Sequence, residues 1–258
     1  MVNHQTLRLN LRSRVSGENG ERRVQTVRKV IPATETALLI CDMWDSHWCR
    51  SAARRCDALA MKMAPVVEAA RARGVRIIHA PSDCMEHYGD APARQRMADA
   101  PPLDVPDVPV GDFPPLPIDD SDGGCDDEPQ CETHIAWTQQ HSALRVADED
   151  VISESGPEVY RFLRHHGITT LLLAGVHTNM CILHRTFGIR QMTRWGIQCA
   201  LVRDLTDSLY NPRRHPFVSH DRGTRLVIEH IERHWCPTIL SADLMPRRRN
   251  AAASPGLG

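Results

Sequence analysis

The strongest constraint on the fold is a series of short apolar runs, bounded by polar residues and separated by segments of helical composition. Continuous apolar runs of about four to eight residues are typical of parallel strands, which are buried on both faces. The runs predict strands over residues 36–42, 74–82, 169–176, 197–204 and 236–241.

Helical segments between these runs complete the pattern. They predict helices over residues 51–73, 156–167, 179–194 and 224–234. Strands that alternate with helices form right-handed crossovers and a parallel sheet. The sequence therefore predicts an α/β fold of three layers, with a doubly wound, mostly parallel sheet and helices on both faces. Ligands bind beyond the carboxyl ends of such strands. The residues at those ends are Asp42, Pro81, Asp204 and residues 177–181.

The rest of the chain predicts additions to this domain. Residues 1–33 predict an amphipathic N-terminal arm or hairpin, and residues 34–245 predict the domain itself. Within it, the insertion at 99–133 is rich in Pro, Asp and Gly and has too few apolar residues for a core of its own. Loops of this length are usually functional or disordered. Residues 246–258 predict a flexible tail.

Charge and apolar content exclude several classes of function. The 258-residue chain has a formal net charge of −1, so no excess of basic charge favours binding to nucleic acid or a membrane surface. It has no run of about 18 apolar residues that would predict a transmembrane helix. The first residues also lack an apolar signal core. We therefore expect a cytoplasmic protein that acts on a small-molecule substrate.

The nine cysteines do not form the pattern of a disulfide scaffold. Their number is odd, and most lie in predicted strands or helices. Cys125 and Cys131 share a polar loop and could pair with each other or bind a metal ion. An isolated C-x5-C spacing is a weak indication of either. No metal ion and no other cofactor is predicted.

Two residues at the ends of predicted strands have side chains suited to catalysis. Cys181 falls in the first turn of a predicted helix, where free N–H groups lower the pKa of a thiol and could bind an oxyanion. Asp42 ends the first strand and could act as a general base. Each also has a structural alternative, as a buried cysteine for Cys181 and as a helix cap or loop acid for Asp42.

Aromatic side chains follow Asp42 directly. Trp44, His47 and Trp48 could line a pocket for a flat substrate by stacking on it. Tryptophans near the end of a strand are also common in protein cores. The sequence leaves both alternatives open.

Two motifs resemble those of the isochorismatase-like cysteine hydrolases. The segment LLICDMWD, which contains Asp42, is similar to the family's first-strand motif, an apolar run followed by Asp-Met-Gln-Asn or a close variant. The segment AGVHTNMC, which ends at Cys181, is similar to its nucleophile motif, Gly-Val-Ala-Thr-x-x-Cys. The likeness covers residues 34–241. The family includes nicotinamidases, N-carbamoylsarcosine amidases, biuret hydrolases and isochorismatases.

The resemblance implies an isochorismatase-like fold and a covalent mechanism. In the family, an Asp, a Lys and a Cys form a triad, and the Cys attacks an amide-type carbonyl to give a thioester that water hydrolyses. The resemblance makes Cys181 the nucleophile and Asp42 the base. It also implies a cis Val176–His177 bond whose N–H helps to form an oxyanion hole, with Val176 and Thr178 beside the substrate.

The resemblance also implies self-association, since members of the family commonly form homo-oligomers. We expect the 1–33 arm or the 99–133 insertion to lie in the contact between subunits, because both are large additions to a single domain.

The chain departs from the family at the triad lysine. The resemblance places that lysine within residues 138–150, and this segment, TQQHSALRVADED, has none. Arg145 is the nearest cation there, but it cannot shuttle protons because it stays charged. His141 and His177 can carry protons, and each also has an alternative as a hydrogen-bonded structural residue. His177 is the first candidate to replace the lysine, because it lies four residues before Cys181, and Arg145 is the second.

A metal site of the nicotinamidase type is not expected. In those enzymes an Asp-x-His motif after the second strand and a later His bind the metal. Here the segment is HAPSDCMEHYGD, which contains His79 and His87 without the motif. The acidic loop at 119–127 lacks the twelfth-position acid of a calcium loop, so we expect it to be solvated.

Three hypotheses about function follow. The first is a cysteine-dependent hydrolase that cleaves a C–N bond in a small amide, ureide or carbamoyl compound. The second is a non-catalytic member of the fold that binds a metabolite or a partner. The missing lysine favours it, whereas the presence of Asp42 and Cys181 opposes it. The third is vinyl-ether hydrolysis of the isochorismatase type, in which the nucleophile is dispensable, so that Cys181 counts against it.

Overall fold

The computed structural model of the chain describes residues 6–17, 21–108, 111 and 113–246. Nearly all of the predicted tail, residues 247–258, lies outside the described residues. The strands are β1 (Thr6–Ser16), β2 (Arg22–Pro32), β3 (Thr36–Cys41), β4 (Arg76–Ala80), β5 (Val151–Ile152), β6 (Thr170–Val176), β7 (Gln198–Asp207) and β8 (Thr238–Ile239). The helices are α1 (Arg50–Ala72), α2 (Pro92–Ala98), α3 (Gly156–His165), α4 (Cys181–His184), α5 (Ile189–Arg194) and α6 (His220–His234). None of these helices has the length and apolarity that crossing a membrane requires.

All eight strands belong to one sheet, in the order β2-β1-β8-β7-β6-β3-β4-β5. From β8 to β5 each strand is parallel to its neighbour. The hairpin of β1 and β2 adds two antiparallel strands at the other edge. The predicted α/β class with a mostly parallel sheet is therefore confirmed.

Helices cover both faces of this sheet. Successive side chains of a strand point to opposite faces of the sheet. The side chains of β6 that pack against other elements are apolar on both faces. Leu171 and Leu173 pack with buried residues of α3, α5 and α6, whereas Leu172 and Ala174 pack with those of α1 and the hairpin. Burial on both faces explains why the sequence of β6 is continuously apolar rather than alternating.

One predicted helix is wrong in its extent. Residues 179–194 form two short helices, α4 and α5, separated by a turn in which Gly188 N–H donates to the carbonyl of Arg185 at 2.7 Å. Arg185 leaves the helical region with a ψ of 155°, and Gly188 is extended with a ψ of 173°. Cys181 begins α4 as expected, but this helix has only four residues. It therefore cannot supply the potential of a long helix dipole.

The 99–133 insertion has no strand or helix in its described part, yet it is anchored to the domain. Asp119 N–H donates to the carbonyl of His215 at 2.8 Å. Gly124 has a φ of +73°, and a Cβ there would lie 2.3 Å from the carbonyl oxygen of Leu209. Only glycine permits so close an approach. The insertion is consequently held against the loop that follows β7.

Candidate active site

Asp42 and Cys181 meet at the carboxyl edge of two neighbouring strands. Asp42 directly follows β3, Cys181 lies shortly after β6, and these two strands pair in parallel. The Cys181 thiol donates a hydrogen bond to the Asp42 carboxylate. Asp42 is fully buried and Cys181 is half-buried. The structure thus brings together the two residues that the sequence singled out.

Arg185 supplies a positive charge beside this pair. Its Nε lies 3.2 Å from Asp42 Oδ2, and its Nη2 lies 3.1 Å from Asp83 Oδ2. The other oxygen of Asp42 accepts a hydrogen bond from Ser82 N–H at 2.8 Å. The carboxylate therefore has one backbone donor, one cation and one thiol around it. We refer to Asp42, Cys181 and Arg185 as the catalytic cluster.

Burial and mutual contact set the protonation of the catalytic cluster. Burial raises the pKa of Asp42, and Arg185 and the thiol offset this only in part. Burial and then Asp42 raise the pKa of Cys181 well above its usual range. The lowered thiol pKa expected from the sequence is therefore wrong for the resting protein, because burial and Asp42 outweigh the short helix. The resting thiol keeps its proton.

Arg185 keeps its charge throughout. Burial alone would lower the pKa of its guanidinium, but Asp42 and Cys181 outweigh burial and raise it. A guanidinium in this position stabilises negative charge on either neighbour without itself exchanging protons.

The backbone before Cys181 forms a tight turn. The Val176–His177 peptide bond is cis, in agreement with the resemblance. His177 N–H faces the sulfur of Cys181. The carbonyl of His177 accepts hydrogen bonds from the N–H groups of Met180 and Ile182 at 3.0 and 3.2 Å. This turn fixes the position of the thiol.

The side chain of His177 contacts His47 rather than the catalytic cluster. The two Nε2 atoms are 3.1 Å apart, and His47 Nδ1 accepts a hydrogen bond from Cys49 N–H at 3.0 Å. Burial, reinforced by His47, lowers the pKa of His177 to about 3, and burial lowers that of His47 to about 4. Both rings are therefore neutral near pH 7. The structure thus places His177 as a neutral side chain in contact with His47, and its role as a proton carrier in place of the lysine stays a prediction.

Arg145 also lies outside the catalytic cluster. Its side chain is 64% exposed and pairs with Glu68 at 3.3 Å. His141, the other candidate in that segment, is bound to Asp57 at 3.1 Å. Residues 138–150 were expected to supply the cation because the family places its lysine there. In this chain the cation beside Asp42 is Arg185, which comes from the segment after Cys181.

The chain's two lysines are engaged elsewhere. Lys29 on the hairpin donates to Gln198 at 2.8 Å, and Lys62 on α1 lies 3.7 Å from Asp204 Oδ2. Neither of these contacts involves the catalytic cluster.

Trp44, a predicted substrate-binding residue, is packed into the protein. Its indole Nε1 donates to the carbonyl of Ser82 at 2.9 Å, and its ring stacks on Trp137 with centroids 3.9 Å apart. Ser82 is also the residue whose N–H binds Asp42. Trp44 therefore supports the wall behind the Asp42 carboxylate, and its contact with a substrate stays a prediction.

The other predicted substrate-binding residues are buried as well. Val176 has no exposed surface, and its carbonyl accepts a weak hydrogen bond from Cys41 Sγ at 3.4 Å. The hydroxyl of Thr178 is bound to that of Thr206 at 2.8 Å. His47 is 7% exposed and holds His177. Direct contact of these residues with a substrate stays a prediction.

The 99–133 insertion covers the edge next to Cys181. Asn179 Nδ2 donates to Asp120 Oδ2 at 2.7 Å, and Asn179 Oδ1 accepts from Leu209 N–H at 2.9 Å. One side chain in the turn before Cys181 thus ties the insertion to the loop after β7. The insertion is therefore positioned to shape access to the thiol.

His79 is a structural residue of the core. Its Nδ1 lies 2.9 Å from Gln140 Oε1 and its Nε2 lies 3.0 Å from Asp150 Oδ2. The ring is fully buried, and both nitrogens are occupied by protein partners. His79 accordingly offers no nitrogen to a metal ion.

Solved structures with similar architecture exist. A cysteine hydrolase from Pseudomonas syringae pv. phaseolicola 1448A matches with a TM-score of 0.53 and 18% sequence identity, over 83% of this chain and 92% of that one. An isochorismatase from Pseudomonas putida KT2440 matches with a TM-score of 0.51 and 13% identity, over 83% and 91%. The chain has the isochorismatase-like fold. No protein-family model and no curated protein matches the sequence.

Because these sequence identities are low, the likeness to the solved structures establishes the architecture alone. The chemistry of the site rests on the geometry of the catalytic cluster.

Arg185 is the candidate functional residue that the sequence analysis missed. It lies four residues after Cys181, and residues at that spacing share one face of a helix. A C-x3-R spacing at the start of the helix after β6 was the available signal.

Proposed function

We propose that the chain is a cysteine-dependent hydrolase that cleaves a C–N bond in a small amide, ureide or carbamoyl compound through a thioester intermediate. The observation that carries the proposal is the contact between the Cys181 thiol and the buried Asp42 carboxylate, which is itself paired with Arg185. A nucleophile, a base within hydrogen-bond reach and a group that orients the base are the requirements of covalent catalysis.

The first half of the proposed reaction forms the thioester. The Cys181 thiol gives its proton to Asp42, and the sulfur attacks the carbonyl carbon of the substrate. The carbonyl π electrons move to oxygen, which becomes an oxyanion. When the oxyanion collapses, the C–N bond breaks, and the leaving nitrogen takes the proton from Asp42. Ammonia or an amine departs, and the acyl group stays on sulfur.

The second half hydrolyses the thioester. Asp42 removes a proton from water, and the hydroxyl oxygen attacks the acyl carbon. Collapse breaks the C–S bond, and the sulfur regains its proton from Asp42. The acid product leaves, and the catalytic cluster returns to its starting state.

The backbone N–H groups of the turn at Cys181 are the proposed donors to the oxyanion. His177 N–H faces the sulfur in the resting protein. Once the sulfur bonds to carbon, this donor is free to turn to the new negative oxygen. Oriented backbone donors are among the largest contributors to such reactions.

Arg185 makes the proton cycle possible without taking part in it. A buried carboxylate next to a thiol favours its neutral form, and a neutral carboxyl group cannot accept the thiol proton. The adjacent guanidinium lowers the pKa of both Asp42 and Cys181. Arg185 thus has the charge-offsetting role that lysine has in the family, although it comes from a different segment.

A panel of small amides, ureides and carbamoyl compounds tests the proposal. Ammonia release is measured for the wild-type protein and for Cys181→Ala. We expect release from at least one compound, and a fall of about 10³-fold or more on removing the nucleophile. Cys236→Ala, which alters a buried thiol distant from the cluster, is the matched control and should keep the wild-type rate.

The intermediate can be detected directly. Hydroxylamine added during turnover should intercept the thioester as a hydroxamate, and mass spectrometry should find the acyl group on Cys181. If Cys181→Ala keeps full activity, the cysteine-hydrolase proposal fails. If no compound in the panel releases ammonia and no adduct forms, the chain is better described as a binding protein of this fold.

A further inference from the structure

Three cysteines and one aspartate converge at a place separate from the catalytic cluster. Cys125, Asp127 and Cys131 come from the insertion, and Cys49 lies directly before α1. The ligand atoms of Cys49, Cys125 and Asp127 lie within 4.8 Å of one another. We refer to these four residues as the cysteine cluster. The proposed hydrolase chemistry uses none of them.

One carboxylate oxygen contacts all three sulfurs of the cysteine cluster. Asp127 Oδ2 is 3.4 Å from Cys49 Sγ, 3.4 Å from Cys131 Sγ and 3.7 Å from Cys125 Sγ. The sulfurs of Cys49 and Cys125 are 2.9 Å apart. The same carboxylate oxygen accepts a hydrogen bond from Ser51 N–H at 2.9 Å. Three candidate ligand atoms thus lie close to one another, and the sulfur of Cys131 joins them through its contact with Asp127.

Backbone donors lie beside two sulfurs of the cysteine cluster. Cys49 and Cys125 are buried, and Cys131 is half-buried. The N–H of Ala52 donates to the sulfur of Cys49, and the N–H of Arg50 donates to the sulfur of Cys131. These contacts hold two of the three sulfurs in place beside the beginning of α1.

Positive side chains also lie beside the cysteine cluster. Arg50 Nε and Arg54 Nη2 are 3.9 and 3.8 Å from Asp127 Oδ1. Three thiolates and a carboxylate around a divalent cation leave a net charge of about −2. Two neighbouring guanidinium groups can offset that charge.

We propose that Cys49, Cys125, Cys131 and Asp127 bind a Zn²⁺ ion. Zinc prefers four ligands in a tetrahedron, with bonds of about 2.3 Å to sulfur and about 2.1 Å to a carboxylate oxygen. Those bonds put each sulfur about 3.6 Å from the oxygen. The three separations of 3.4 to 3.7 Å match that value. To reach the distance of about 3.8 Å between sulfurs in a tetrahedron, the sulfurs of Cys49 and Cys125 would have to separate by about 0.9 Å. The sulfur of Cys131, which does not lie within 4.8 Å of all three other ligand atoms, would have to move closer.

The choice of metal follows from the ligands. Sulfur ligands select zinc and related soft metals, whereas magnesium and calcium require oxygen ligands. Four protein ligands leave no open position, which is typical of a structural zinc site and not of a catalytic one. Binding converts the three thiols to thiolates and releases three protons to solvent.

A zinc ion here would fasten the insertion to the beginning of α1. The site is also joined to the turn that holds the nucleophile. Cys49 N–H donates to His47, and His47 contacts His177, whose N–H faces Cys181. We therefore assign the ion the role of holding the insertion over the active-site edge.

Metal analysis of the purified full-length chain tests the assignment. Protein prepared without chelators and with zinc in the growth medium is expected to contain one zinc per chain by elemental mass spectrometry. Cobalt bound in place of zinc should show the visible absorption of tetrahedral cobalt and a thiolate-to-cobalt charge-transfer band in the near ultraviolet. The band does not depend on catalytic activity.

Cysteine variants locate the ion. Cys131→Ser alters the half-buried ligand, so the variant should fold, as circular dichroism can check, and should lose the zinc and the cobalt band. Cys125→Ser should behave in the same way. Cys236→Ala and Cys181→Ala should each keep one zinc per chain, which separates this site from the catalytic cluster.

Two results would overturn the proposal. One is a folded wild-type chain that takes up neither zinc nor cobalt. The other is a disulfide between two of these cysteines, seen as seven rather than nine titratable thiols in the denatured, unreduced protein. Zinc retained by Cys131→Ser and Cys125→Ser would equally place the ion elsewhere.

Discussion

At the scale of single residues, Asp42 is the centre of the candidate active site. Its two oxygens are shared by a backbone N–H, a guanidinium and a thiol. Burial favours the neutral carboxyl group, and Arg185 favours the carboxylate. The ability of Asp42 to accept a proton therefore depends on this one cation.

Removal of that cation should change the pH dependence of activity in a defined direction. Arg185 lowers the pKa of both Asp42 and Cys181, so Arg185→Gln raises both. Activity is lost at low pH, where Asp42 takes up a proton and can no longer act as base. The acid limb of kcat/KM should accordingly move to higher pH, by about 1–3 units for a cation adjacent to a carboxylate. The pH profile on the best compound of the amide panel measures this shift.

Two further variants make the test specific. Arg185→Lys restores a positive charge and should move the acid limb of kcat/KM most of the way back to its wild-type position. The return should be incomplete because a lysine lacks the planar fork that also reaches Asp83. Arg145→Gln examines the cation that the sequence favoured. An acid limb that moves with Arg145→Gln and not with Arg185→Gln would show that the assignment of the cation is wrong.

At the scale of elements, the break between α4 and α5 positions Arg185. The chain turns out of the helix at Arg185, and Thr186 then packs against the first residue of α3. That residue is Gly156, whose N–H donates to Thr186 Oγ1 at 2.9 Å. A Cβ on Gly156 would lie 2.0 Å from the carbonyl oxygen of Thr186. The start of α3 thus fixes the backbone next to the Arg185 guanidinium.

A methyl group at this contact should disturb both stability and the site. Gly156→Ala forces α3 and the Thr186 backbone apart, and overpacking of this kind typically costs about 1–3 kcal/mol. Urea unfolding measures the loss, and kcat/KM should fall because Arg185 moves with its neighbour. Gly89→Ala is the matched control, since the nearest atom to its Cβ is 3.7 Å away. Its stability should stay within about 0.5 kcal/mol of wild type. Equal stability of the two variants would contradict the tight contact.

At the scale of the whole molecule, the hairpin forms one edge of the sheet. Among the strands that the structure describes, β2 pairs with β1 alone, and Val24, Val27 and Val30 are each more than half exposed. An edge strand of this kind is a template for pairing with another chain. The insertion, by contrast, is packed onto its own domain through Asn179 and the cysteine cluster.

We propose that a second copy of this chain covers β2, so that the protein is a homodimer through its hairpin. Light scattering at micromolar concentration should give twice the mass of the chain. Val24→Lys combined with Val30→Lys places charge in the contact and should weaken association by about tenfold or more. Leu103→Lys puts the same charge on the insertion and should leave the dimer intact. A wild-type monomer under these conditions would contradict the proposal.

The fold and two of the three residues of the catalytic cluster could be predicted from the sequence. Apolar runs alternating with helical segments determine a parallel sheet, because strands buried on both faces need helices on each side. A parallel sheet brings the carboxyl ends of its strands to one edge. This is why Asp42 and Cys181, at the ends of β3 and β6, could be assigned to one site although 139 positions separate them.

The remaining contacts were decided only by the tertiary structure. The partners of Arg185, His177 and Cys49 lie on other segments of the chain. The conformation of the loops between those segments determines whether the side chains come into contact. Periodicity fixes which face of an element is buried, but not where a helix breaks or how an insertion folds back. Arg185 reaches Asp42 because the chain leaves α4 at that residue, and Cys49 meets Cys125 because the insertion returns to the start of α1.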